Sequence, residues 1–165
     1  MTAQSVFVWC PAAGFLQGHG FLHTRAALGA DLALLLALLA ALLFTIGWRL
    51  AVRRRFEAHR WVQTAAVCLN AIPVGVVMIR SFVLYILPEI PARLGQSSYA
   101  ITTVHALVGT VCLLLGVWVV LRGNELVPQR LRFANLKLFM RVSYLLYMLG
   151  TLMGVIVYVV AYGGG

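Results

Sequence analysis

At 165 residues the chain has room for one compact unit and none for a separate catalytic domain. It is 62% hydrophobic and only 10% charged, which excludes an ordinary water-soluble domain and suits a bilayer as solvent. A net charge of +9 would suggest nucleic acid in a soluble protein; here the arginines sit at the ends of apolar segments, where membrane orientation accounts for them and no nucleic-acid partner is needed.

Residues 1–26 read as a tail on the outer face, and residues 27–165 as a transmembrane domain of four helices. The tail contains His19-Gly20-Phe21-Leu22-His23, an i,i+4 histidine spacing that would put both rings on one face of a short helix. Such a face can bind copper or zinc, and His105 can supply a third nitrogen. Gly18 and Gly20 oppose a helix, and the competing reading is an interfacial tail with ordinary histidines.

Apolar runs follow at roughly 27–50, 61–87, 100–121 and 138–162, each above the ~20 residues that a spanning helix needs. The first is Ala- and Leu-rich from Ala26 to Leu43 and carries a single charge, Asp31. It has no basic leader and no clear small-residue cleavage site, so it reads as a retained helix rather than a signal peptide. Arg49, Arg53, Arg54, Arg55 and Arg60 mark the next connection. His59 lies among them, and Arg53, Arg54, Arg55, His59 and Arg60 read as a solvated cationic face that meets anionic lipid in the cytoplasm. Pro73 inside the second run predicts a kink, with Asn70 placed to satisfy the freed carbonyl. Pro88 and Pro91 are expected to end that helix. Cys68 and Cys112 lie within spans, form no metal-binding spacing with Cys10, and read as small buried hydrophobes. In the fourth run Gly150 and Gly154 form a face for close helix packing, within the chain or against a second copy.

Orientation follows from the connections. The first and third together hold Arg49, Arg53, Arg54, Arg55, Arg60, Arg122, Arg130, Arg132, Lys137 and Arg141, whereas the other side holds Arg25 and Arg93. By the positive-inside rule the expectation is an all-α integral-membrane four-helix bundle with both termini outside, in the plasma (inner) membrane.

Arg80 and His105 join Asp31 as ionisable residues within apolar runs. Counted from the helix ends at 1.5 Å per residue, all three lie about 8–10 Å below the outer surface, and Tyr158 falls in the same layer. An Asp31–Arg80 pair completed by His105 and Tyr158 is one expectation. The layer reads either as a clasp between helices or as a partner or ligand site. No nucleophile–base grouping is visible, and the chain is read as not an enzyme. His59 and His105 differ in depth by roughly 20 Å, too far to share one haem iron, so an outer haem would need His105 with His19 or His23.

The chain from about Gly47 to Tyr162 resembles the YozB-like (CtaM-type) family of small four-helix membrane proteins linked to haem–copper oxidase maturation. The features that carry this are the basic stretch Arg53-Arg54-Arg55-Phe56-Glu57-Ala58-His59-Arg60, the pair Tyr99 and His105, and the helix end Gly154-Val155-Ile156-Val157-Tyr158. The family usually has a further His just before its fourth helix, where this chain reads Phe133-Ala134-Asn135-Leu136-Lys137. The resemblance implies a non-enzymatic assembly or maturation factor for a haem–copper respiratory oxidase, acting by helix–helix binding with transient haem or copper handling. The alternatives are a permanent structural subunit of a respiratory or photosynthetic complex and a b-type haem-binding membrane protein.

Overall fold

A computed structural model describes residues 18–24, 26–93, 95–131 and 135–163. The architecture is all-α, with four helices each long and apolar enough to cross a bilayer. They are α1 (Leu28–Val52), α2 (Phe56–Arg93), α3 (Ser97–Gly123) and α4 (Leu136–Tyr162). Short connections make neighbours antiparallel, and α1 packs on α2, α2 on α3, α3 on α4 and α4 back on α1. In the most apolar stretches of α2, α3 and α4 only 11%, 6% and 6% of residues are buried within the chain, so these helices turn most of their apolar surface outward. In water that surface would be a severe liability; against lipid it is the solvated face. The chain is a multi-pass membrane protein.

The second helix is longer than its apolar run. Pro73 has no N–H to donate and its ring crowds the preceding turn, so the α-helix Phe56–Pro73 passes into a π-helical stretch, Val74–Met78. A short α segment, Ile79–Ser81, is followed by a second π-helical stretch, Phe82–Ile86. Pro88 and Pro91 do not end the helix as expected. Pro88 sits in the opening of a 3-10 turn, Leu87–Glu89, where a missing N–H is tolerated, and Pro91 lies in the closing helical segment Ile90–Arg93. Arg93 secures that end through Glu89 (2.9 Å) and packs over the Tyr99 ring at the start of α3.

The core lies toward the arginine-bearing end. Ala40 and Phe44 of α1, Ala66 and Val67 of α2 and Tyr147 of α4 form one buried cluster. Phe44 and Tyr147 stack at 4.4 Å with tilted rings. The Tyr147 hydroxyl donates to Asn70 Oδ1 at 3.0 Å, with the Ala37 carbonyl a second acceptor at 3.2 Å. Asn70 Oδ1 is therefore engaged by α4, a contact the sequence did not suggest. At the same end Asn124, just past α3, donates to Thr64 Oγ1 of α2 at 3.2 Å and to the Val120 carbonyl at 2.9 Å. Trp48 and Trp61 are exposed there, Trp48 against Tyr144 and Trp61 beneath the Arg60 guanidinium.

Candidate functional site

Two groups of polar side chains are built into the bundle, one at each end. The first centres on Asp31, in the first turns of α1 and fully buried. Residues 18–24, 26 and 27 fold back over it. The Gly20 N–H bonds the Ala26 carbonyl at 3.1 Å, and the Leu28 N–H bonds the Gly18 carbonyl at 2.8 Å. That return brings the Leu22 N–H to 2.9 Å from Asp31 Oδ2. From α4 the Tyr158 hydroxyl donates to Asp31 Oδ1 at 2.5 Å. Since that proton is committed, Thr24 Oγ1, 2.8 Å away, donates to the Tyr158 oxygen, and it accepts from the Ala26 N–H at 3.3 Å. The chain Thr24–Tyr158–Asp31–Leu22 ties the tail, α1 and α4 together.

This differs from the expected layer. Asp31 and Tyr158 meet, but the Asp31–Arg80 pair is not formed: the carboxylate bonds Leu22 N–H and Tyr158, and Arg80 lies on an exposed part of α2. Equal depth places groups in one layer, whereas rotation about each helix decides which of them touch. His105 lies instead in the α3–α4 contact, where a Cβ on Gly154 would meet its Cε1 at 3.2 Å. Gly150 faces α3 too, with Val108 and Cys112 as its neighbours, so the glycine face packs within the chain.

The tail histidines are both exposed. His19 forms an isolated bridge to Ala27, and His23 takes φ 56°, a turn conformation incompatible with a helix. The expected i,i+4 face is thus absent. Among the described residues no three His, Cys, Asp or Glu side chains are grouped to hold a metal, and His19, His23 and His105 are not brought together. Cys112 is buried but Cys68 is exposed, which corrects its reading as a buried hydrophobe.

The second polar group centres on His59, in the first turn of α2. The surrounding Arg53, Arg54, Arg55 and Arg60 are exposed, as a cationic face requires, but His59 is only 8% exposed and does not belong to it. It turns inward, and its Nδ1 lies 2.7 Å from the Gly47 carbonyl of α1. A carbonyl only accepts, so Nδ1 carries the proton, and in the neutral ring the lone pair is on Nε2. Nε2 is buried without a hydrogen-bond partner. The α1 and α2 helices approach closely at Gly47, where a Cβ would meet the Gln63 side chain at 2.9 Å.

His59 lines a cavity of about 530 Å³ between the helices at the arginine-bearing end. Phe44, Phe56, Val67 and Tyr144 supply much of its apolar wall, with Gly116 and Val120 from α3 and Met140 from α4. Glu57, Arg60, Gln63 and Ser143 add polar groups. The volume is within the ~300–1,000 Å³ typical of small-molecule sites. The sequence signal that was missed is Gly47, twelve residues before His59: across a tight connection it permits the contact that draws the imidazole inward.

Compared with known proteins, the chain matches no family model, no curated protein and no solved structure.

Proposed function

We propose that this chain is a non-enzymatic assembly or maturation factor for a haem–copper respiratory oxidase in the plasma membrane, acting by binding. In this reading both termini face outward and the arginine-bearing end faces the cytoplasm, as the basic connections favour. The role itself comes from the sequence resemblance. The observation that carries it into the structure is His59: the histidine ending the basic stretch is held by Gly47 and lines a cavity large enough for a small molecule. The outward apolar sides of α2, α3 and α4 suit helix–helix contact with a membrane partner. The Asp31 network serves as a structural clasp, because its donors and acceptors satisfy one another.

A second reading, a permanent subunit of a respiratory or photosynthetic complex, is favoured by one residue. Leu136 lies in the cavity wall, in the segment where the resembling proteins carry a further His. Gentle purification of the tagged chain from its own membranes, with quantitative mass spectrometry, separates the two. Oxidase subunits recovered at well below one-to-one fit a transient factor. Constant one-to-one recovery with a mature complex makes it a subunit, and absence of oxidase subunits overturns both oxidase-linked roles.

A further inference from the structure

We infer that the cavity beside His59 binds a lipid-soluble hydroquinone, whose phenolic O–H donates to the His59 Nε2. The inference takes this cavity to be the functional site, as in the reading above, and names its ligand class. Three observations select that chemistry.

The first is the orphaned nitrogen. His59 is more than nine-tenths buried, its Nδ1–H is committed to the Gly47 carbonyl, and Nε2 has no partner. A buried polar atom left unpaired is costly, and in the neutral ring the unpaired one is an acceptor. The ligand must therefore bring a donor. A lipid phosphate has only acceptors to offer this nitrogen, and the hydroxyls of a headgroup are aliphatic alcohols, weaker donors than a phenol.

The second is the wall. Phe44, Phe56 and Tyr144 give the cavity aromatic surfaces, and Val67 and Val120 add aliphatic ones. A planar ring stacks on such walls, and a phenolic O–H is a stronger donor to imidazole than an aliphatic alcohol. Gln63 and Ser143 offer an amide and a hydroxyl to a second oxygen on the ring.

The third is position. The cavity lies among helices whose apolar faces are largely unburied, so an apolar ligand dissolved in the bilayer has a short path to it. A bare metal ion would leave most of about 530 Å³ unfilled. A tetrapyrrole would have His59 as the one imidazole among the lining residues, with Leu136 also on the wall. The proposal is binding alone and includes no electron transfer.

The test uses the full chain in nanodiscs under anaerobic, reducing conditions, with decyl-ubiquinol as probe and oxidised decyl-ubiquinone as control. Expected is saturable binding of one quinol per chain, with the quinone, which lacks the O–H, bound about tenfold more weakly. His59→Asn keeps an N–H to reach the Gly47 carbonyl but removes Nε2, and it should weaken quinol binding about tenfold at an unchanged melting temperature. If that variant does not fold, Gly116→Leu decides. Gly116 lines the cavity and a Cβ there would lie 3.6 Å from Val67 Cγ2, so a Cβ is accommodated and the larger side chain fills the space and should abolish binding. Equal affinity for quinol and quinone, unchanged affinity in both variants, or no saturable binding overturns the inference. So does a Soret band on haem titration that requires His59, which reassigns the cavity to a tetrapyrrole. Oxidase co-purification is read separately, so quinol binding can fail while the assembly role stands, and the reverse.

Discussion

Removing the Tyr158 hydroxyl tests the clasp at the tail end. Asp31 is 0% exposed, and its carboxylate accepts from Tyr158 at 2.5 Å and from Leu22 N–H at 2.9 Å. In a soluble protein a hydrogen bond to a carboxylate contributes about 1.5–3 kcal/mol. In a membrane the unfolded reference also finds partners, and measured couplings average about 0.6 kcal/mol with a maximum near 1.7. A bond to a fully buried carboxylate belongs at the upper end of that range, so a coupling of about 1.5 kcal/mol is expected. The assay is a double-mutant cycle of Tyr158→Phe and Asp31→Ala, with unfolding free energies measured in bicelles by steric trapping. Tyr158→Phe alone should cost about 2 kcal/mol, because it also leaves Thr24 without its acceptor. Strict additivity, with a coupling below about 0.4 kcal/mol, would refute the clasp.

Three further outcomes are expected. Gly20→Ala should undock the tail at a cost of about 1–3 kcal/mol, since a Cβ would lie 2.7 Å from the Ala26 carbonyl and 2.8 Å from Asp31 Cγ; faster proteolysis after residue 17 would show it. Gly154→Leu should lower the melting temperature by driving His105 off α4, costing about 1–3 kcal/mol, whereas Gly109→Leu, with nothing within 4 Å of its Cβ, should stay within about 0.5 kcal/mol. Tyr147→Phe should cost about 1 kcal/mol in the same assay, because it removes the donor that reaches Asn70 and Ala37. Equal melting temperatures for parent and Tyr147→Phe would remove that link between α4 and the first two helices.

The four helices were legible in the sequence because run length alone identifies a span: an apolar stretch of twenty or more residues has few other uses. The length of α2 was not. Pro88 and Pro91 read as the end of the helix, yet it takes Pro88 into a 3-10 turn and Pro91 into its closing segment, and at Pro73, which read as a kink, it widens to π turns. Local propensity describes the cost of such residues but not the alternative hydrogen bonding that accommodates them.

The candidate sites divide along the same line. Counting rise along the helices put Asp31 and Tyr158 at one depth, and they do meet. The same count put Arg80 with them, but depth says nothing of rotation, and the second partner of Asp31 is the Leu22 backbone of the returning tail. Gly20 carried the hint of that return. It read as unfavourable to a helix, and its physical use is to admit backbone against the buried carboxylate. His59 was misplaced for a related reason. Three arginines before it and one after it describe a solvated surface, while the contact that buries its ring comes from Gly47 on the other helix.

The most direct test of the account exchanges the chain for its His59→Asn variant in cells and measures assembled haem–copper oxidase, by reduced-minus-oxidised spectra of the membranes, beside the level of the variant itself. The account predicts a variant present at parental levels with oxidase sharply reduced, because the cavity at His59 is what the protein acts through. Full oxidase content with an equally abundant variant would contradict it.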